Sequence, residues 1–235
     1  GGSSLSFNKN REAKKVLVVL ITSDKGLCGG FNSNLIKTTR KLLTETYQEQ
    51  KKKGGITMLC VGKKGFDFFK KDKEIQFISD HVGLFSKLAF DNSKVVSEYL
   101  MSSFAEEKFD VIELVYAKFV NAATQRFMVE RFLPVAPSEQ SKMVKTKADY
   151  IFEPEKEKLL EELVPKILNT QFFKALCDTN ASENGARMVA MDSATNNANE
   201  LIRSLKIQYN RERQAAITKE ILEIVGGAAA LEENG

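Results

Sequence analysis

Between Pro165 and Ala230 the chain carries no further proline, and its only glycines are Gly185, Gly226 and Gly227. At 1.5 Å per residue such a stretch makes one helix of ~95 Å, and the missing N–H of Pro165 costs nothing in a first turn. Along it Met188, Met191, Thr195, Ala198, Ile202, Leu205, Tyr209, Glu212 and Ala216 alternate in steps of three and four, and all but Thr195 and Glu212 are apolar. That is the narrow seam of a coiled coil, not the wider stripe of a helix lying on a globular core. The seam then shifts to Ile217, Ile221, Ile224 and Ala228, as a stutter would shift it. Thr179-Asn180 offers a competing local reading, a break, because both residues favour turns and caps. Upstream, Pro154 opens a short helix expected over 155–163. No second long helix precedes the seam in this sequence, so its partner is another chain, a fold-back or a segment outside it. Rods of this kind transmit position or force, or assemble complexes; they rarely do chemistry.

Before the rod, strands and helices alternate. Lys15–Ile21 is a continuous run of β-branched residues and leucine, the habit of a strand buried on both faces. It ends at Thr22-Ser23-Asp24 and a glycine-rich turn containing Gly26, Gly29 and Gly30. Asn32 or Ser33 then caps a helix expected to reach Lys52, stopped by Gly54-Gly55. Ile56–Val61 is a second buried strand, so the unit is βαβ with a parallel pair. A short helix over 63–71, a weak strand over 74–78, and a helix from about 92 to 107 capped by Asp91 follow. Strand-like runs at 109–120 and 125–133 read as a hairpin, closed by Pro134 and Pro137. The expectation is a three-layer α/β domain over 12–150 with an antiparallel edge, then a helical stalk over 151–235.

Composition narrows the chemistry. With 43% hydrophobic and 28% charged residues the chain is an ordinary globular one. A net charge of +4 is too weak to imply a nucleic-acid partner, and no apolar run reaches the ~18–20 residues of a membrane helix. Cys28, Cys60 and Cys177 are unclustered and read as reduced thiols with no zinc cage. His81 is the lone histidine, which excludes a site with two histidine ligands, and no nucleophile motif accompanies it. The glycines of the first turn could cradle phosphate at a helix N-terminus, yet their spacing matches neither GxGxxG nor GxxxxGK[ST], and a tight turn explains them as well. Gly62-Lys63-Lys64-Gly65 is weaker still. Asp24, Asp110 and Glu113 form no readable acid–base pair. No cofactor is expected.

Two sets of residues carry a resemblance. Ile21-Thr22-Ser23-Asp24-Lys25-Gly26-Leu27-Cys28-Gly29-Gly30-Phe31-Asn32 closely resembles the strand-turn-helix motif of the gamma subunit of F-type ATP synthase. The segments 186–195, 209–221 and 223–231 resemble that family's C-terminal helix, and the likeness extends from about Lys15 to Leu231. It implies a Rossmann-like domain at the foot of a central stalk, with the long helix forming half of an antiparallel coiled coil. The implied function is that of a noncatalytic rotor, coupling proton or sodium flow through the membrane ring to changes at the catalytic sites.

The resemblance also implies partners: the alpha and beta subunits, the epsilon subunit and the membrane c-ring. It places the chain peripherally on the cytoplasmic face of a bacterial inner membrane, without direct membrane insertion. Arg213, Gln214, Thr218 and Glu220 match the residues that contact a beta subunit. Tyr150 and Glu153 match the segment that touches the ring. Met188, Met191, Ala198, Ile202, Leu205, Tyr209 and Ala216 become the coiled-coil seam. Family members begin with a long helix that pairs with this seam, whereas this sequence opens at Gly1-Gly2-Ser3-Ser4. A fragment lacking that helix is therefore expected, whose C-terminal helix, alone, frays, folds back or pairs with a second copy. The contrasting function is a nucleotide-binding α/β enzyme with a helical dimerisation tail, or a scaffold for an unrelated coiled coil.

Overall fold

The computed structural model describes residues 7–8, 10–135 and 153–232, with backbone alone at 153–161 and 230–232. Strand β1 (Val16–Ile21) is fully buried. Leu17, Val19 and Ile21 enter one core, and Val16, Val18 and Leu20 the other. This two-sided burial is why the run is apolar throughout rather than alternating. β1 pairs in parallel with β2 (Ile56–Val61) and β4 (Val111–Asn121), β2 in parallel with β3 (Ile75–Ile78), and β4 antiparallel with β5 (Thr124–Leu133). The sheet order is β3-β2-β1-β4-β5.

One face is covered by α1 (Phe31–Lys41), a π turn over Leu42–Thr46 and α3 (Lys63–Phe69). The short α2 (Gln48–Lys52) follows the π turn. The other face is covered by α4 (Phe90–Ala105) and by Leu168, Phe172, Ala175 and Leu176 of α5 (Glu153–Glu232). The chain divides into two compact units, 1–189 and 190–235.

Several local expectations are corrected. Gly30, not Asn32 or Ser33, precedes α1, without a side-chain cap; the Asn32 amide is spent across the turn, where its Oδ1 accepts from Ser23 N at 3.1 Å. The helix does not run unbroken to Lys52. It leaves helical geometry at Tyr47, whose phenol is drawn to Glu113. Asp91 lies in the first turn of α4, behind Ala89 as the flanking residue, where its carboxylate still suits the positive helix end. The expected division into a helix over 155–163 and another from 165 gives way to the single helix α5, with Pro165 inside it. Proline costs that helix one backbone hydrogen bond; burial of Leu168, Phe172 and Leu176, each worth ~1.5–3 kcal/mol, lies immediately downstream.

No break occurs at Thr179-Asn180 either, and the reason is tertiary. β1 pairs with β4 only as far as Leu20 opposite Val115, so the longer β4 has a bare edge from Ala117 onward. α5 completes it. Thr179 Oγ1 accepts from Ala117 N at 3.3 Å, and Ser182 Oγ donates to Ala117 O at 3.4 Å. Both hydroxyl residues are fully buried. One turn on, Gly185 meets Ala122 so closely that a Cβ would stand 2.9 Å from its Cα and its O.

Two tyrosine–carboxylate pairs, one buried and one half-buried, tie the layers. Glu113, 5% exposed on β4, accepts from Tyr47 Oη at 2.7 Å and Arg131 Nε at 2.9 Å. Glu130 accepts from Tyr116 Oη at 2.7 Å and from Gln171 Nε2 at 2.6 Å. Burial, then the neighbouring carboxylate, pushes both phenols well above their ordinary value.

Gly185→Val should force α5 off the β4 edge. Overpacking of this kind costs ~1–3 kcal/mol, so the urea midpoint should fall clearly, whereas Gly226→Val, with open space around it, should leave it nearly unchanged. The tyrosines give a pH test. Their folded-state pKa is raised, so ionisation begins first in the unfolded chain, near pH 10, and the stability they contribute is intact below that value and lost as pH rises above it. Urea midpoints followed from about pH 8 to about pH 11 should fall more steeply for the unaltered chain than for Tyr47→Phe/Tyr116→Phe.

Candidate functional site

The carboxyl ends of its strands are where an open parallel sheet would receive a ligand. Here the chain fills that place itself. Beyond β1, Thr22 and Ser23 are buried. Thr22 Oγ1 accepts from Gly65 N at 2.9 Å, and Asp24 Oδ1 accepts from Lys63 N at 3.0 Å, so the first turn of α3 is capped internally. Gly62 must be glycine: its φ is +97°, and a Cβ would stand 2.1 Å from Thr22 O.

In the glycine-rich turn, Leu27 and Gly29 both adopt positive φ. Asn32 Nδ2 donates to Ser23 Oγ at 2.7 Å and to Cys28 Sγ at 3.3 Å. Arg187 of α5 reaches this turn, its Nε and Nη2 lying 3.4 and 3.3 Å from Gly26 O. Its Nη2 also pairs with Glu183 at 2.5 Å, and Glu183 is itself buried. The turn that resembled a phosphate cradle is therefore a socket for the helix. Asp24 and Thr22 accept from Lys63 N and Gly65 N of the neighbouring turn, Asn32 accepts from Ser23 N, and the Gly26 carbonyl is held by a guanidinium.

The other candidate residues stay apart. Asp110 accepts from the backbone N–H groups of Lys14 and Lys15 at 3.0 and 2.8 Å, Asp24 caps α3, and Glu113 holds Tyr47 and Arg131, so the three acids occupy three separate structural posts. His81 is half-buried beside Tyr99, ring centroids 6.2 Å apart. Cys28 and Cys60 are buried and Cys177 half-buried, all as free thiols; burial pushes the Cys60 thiol up to about 12. Among the described residues no group of three or more His, Cys, Asp or Glu side chains could hold a metal ion.

The second candidate is a surface, not a cavity. In α5 every side chain from Met191 to Ala229 is exposed. Of the seam, Ile202, Leu205 and Tyr209 are 51, 53 and 67% exposed, and Met188 and Met191 also lie open. Ala198 and Ala216 are exposed between them. Ile217, Ile221 and Ile224 continue the open apolar strip. Arg213, Gln214, Thr218 and Glu220 are exposed on successive turns, with the Thr218 hydroxyl donating to Gln214 O at 2.9 Å. Tyr150 lies outside the described residues. Glu153 opens the backbone of α5, and its side chain is outside the description. Among the described residues no helix is long and apolar enough to cross a membrane.

Sequence reasoning missed the docking set Thr179, Ser182, Glu183, Gly185 and Arg187. A signal was present: small residues at 179, 182, 185 and 186 share a helix face, and close backbone approach selects for that. Taken singly, Thr179 and Asn180 read as breakers.

Known proteins resemble the chain along almost its whole length. A family model described as ATP synthase matches residues 2–231. The ATP synthase gamma chain of Cytophaga hutchinsonii is 47% identical over 232 residues, covering 98% of this chain and 78% of that one. The gamma chain of Flavobacterium psychrophilum is 47% identical over 231 residues, with coverage of 98% and 78%. Among solved structures, a chain of the Euglena gracilis mitochondrial ATP synthase (OSCP/F1/c-ring, rotational state 3) superposes with a TM-score of 0.63 at 24% identity, covering 93% of this chain and 73% of that one. A mixed sheet carrying a long C-terminal helix, matched by a family model over residues 2–231 and by relatives 47% identical, places the chain in the ATP synthase gamma-chain family.

Proposed function

We infer that the chain is the central-stalk rotor subunit of an F-type ATP synthase, a noncatalytic shaft coupled to the catalytic alpha and beta sites. The observation that carries this reading is the apolar strip of α5, exposed from Met191 onward on a chain whose relatives are gamma chains. A helix of this length with an uncovered seam is built to be enclosed by other subunits.

The finer reading divides the chain by task. Residues 12–150 act as a Rossmann-like foot, and 151–235 as the stalk, whose seam forms half of an antiparallel coiled coil. Arg213, Gln214, Thr218 and Glu220 contact a beta subunit: an Arg fork and a Gln amide grip carboxylates and backbone groups reversibly. Tyr150 and Glu153 sit against the polar loops of the c-ring, and the epsilon subunit joins at the foot. The assembly lies peripherally at the cytoplasmic face of a bacterial inner membrane, with rotation driven by ion flow through the ring. Such a shaft needs many weak contacts, since each ~1.4 kcal/mol of extra grip slows escape about tenfold.

The test is made in the assembled enzyme. Arg213→Ala/Gln214→Ala should leave assembly intact while lowering ATP-driven ion pumping about tenfold or more, as expected from losing charge-assisted hydrogen bonds of ~1.5–3 kcal/mol. Ile202→Asp/Leu205→Asp should instead reduce incorporation of the subunit, read by native gel of the purified complex. Normal pumping and normal assembly in both variants would overturn the contact assignments.

A further inference from the structure

We propose that the outer edge of β5 pairs antiparallel with the same edge of a second copy of the chain, centred on Met128, so that one sheet runs through both copies. β5 is the edge strand of the sheet. Among the described residues no strand pairs with its outer side, and its ten residues include neither proline nor lysine, the usual guards of an edge. All of them lie in the unit 1–189. An edge of this length is a template for strand addition, and a two-fold axis lets one edge serve both partners.

Which backbone groups are free follows from β4. Ala117 gives its N–H and C=O to Thr179 and Ser182, on the side away from β5. Phe127 stands opposite Ala117. In an antiparallel ladder the members of such a pair turn their backbone groups away from each other. Phe127 therefore presents its N–H and C=O to the outside, and by alternation so do Gln125, Val129 and Arg131. Only these odd positions can exchange bonds with an added strand. In a pair of identical strands an odd residue must then face an odd residue, which excludes every register shifted by one.

The side chains choose among the registers that remain. With Met128 opposite its own copy, Arg126 meets Glu130 on one face, once at each end of the Met128 pair. On the other face Phe127 meets Val129, and Gln125 meets Arg131. Opposite charges and apolar residues thus stand directly across from each other, the arrangement that stabilises a ladder. Sliding one strand by two residues sets Arg126 against Met128 or Phe132, and Glu130 against Thr124 or Met128, and loses the pairing of charge. The groups concerned are accessible: Arg126 is exposed and Val129 is 38% exposed. Glu130 holds Tyr116 on one oxygen and Gln171 on the other, and a carboxylate with about four acceptor sites has room for a guanidinium as well.

The test uses the full chain carrying Ile202→Asp/Leu205→Asp, which removes pairing through the α5 seam. Sedimentation over a concentration series reaching about 1 mM should show a monomer–dimer equilibrium. Val129→Pro deletes an outward N–H that the fold of one copy does not use; it should abolish the dimer and leave the circular dichroism unchanged. Arg126→Glu sets like charges across the axis twice and should weaken the dimer about tenfold or more. With Cys177→Ser to silence the half-buried thiol, Met128→Cys should form a disulfide between copies on mild oxidation, because a non-bonded antiparallel pair brings the Cα atoms to about 4.5 Å. Gln125→Cys, about 20 Å from its own copy, should not. A strict monomer at about 1 mM, a dimer that Val129→Pro and Arg126→Glu leave intact, or equal crosslinking of the two cysteine variants would overturn the proposal.

Discussion

The fold turns on a strand edge that no strand covers. β4 outruns β1, and at buried Ala117 its backbone N–H and C=O would lie unpaired, a cost of ~1–3 kcal/mol for each group left unsatisfied. The hydroxyls of Thr179 and Ser182 supply those bonds from a helix, and Gly185 admits Ala122 at backbone distance. Because hydrogen bonds are directional and the Gly185 contact tolerates no Cβ, the helix is fixed in rotation as well as in place. Packing of Leu168, Phe172 and Leu176 alone would permit slippage by a turn.

The same docking explains the glycine-rich turn. Once α5 lies along β4, Arg187 lands on Gly26 O, and the crevice at the strand ends is occupied by the chain's own guanidinium and carboxylate. The turn keeps the left-handed geometry that a phosphate cradle would need, at Leu27 and Gly29. Its use is different: it clasps a rod. The motif is a local shape, and its neighbours decide what the shape holds.

What the sequence disclosed follows from which forces act locally. β1 and β2 were legible because burial on both faces leaves no room for polar residues, and the β4–β5 hairpin because its turn is short. The apolar spacing of α5 needs no tertiary information to be read, and the structure leaves those residues exposed. The helix boundaries were not. Asn32, Asp91 and Thr179 all read as caps or breakers by intrinsic preference, and each is instead bound elsewhere or held inside a helix by contacts from distant residues. Tyr47, Glu113 and Arg131 lie far apart in sequence, so their cluster could not be read from spacing. The assignment of Arg213, Gln214, Thr218 and Glu220 rests on resemblance, and the structure shows of them only that they are exposed.

The two halves of α5 differ in pattern for a mechanical reason. From Leu168 to Ala186 the inward residues form a broad stripe, 168, 169, 172, 175, 176, 179, 182, 183 and 185 with half-buried 186, wide enough to bed the helix into a sheet. From Met188 the apolar positions narrow to alternating threes and fours, and burial ends. A broad stripe with directional bonds suits a segment that must not turn against its own domain. A narrow seam, with charged and amide residues around the rest of the circumference, suits a segment that meets different neighbours in succession and binds none of them tightly. A shaft needs both properties along one helix. Within the unit 1–189 the backbone of α5 runs without a break at Pro165 or at Thr179-Asn180.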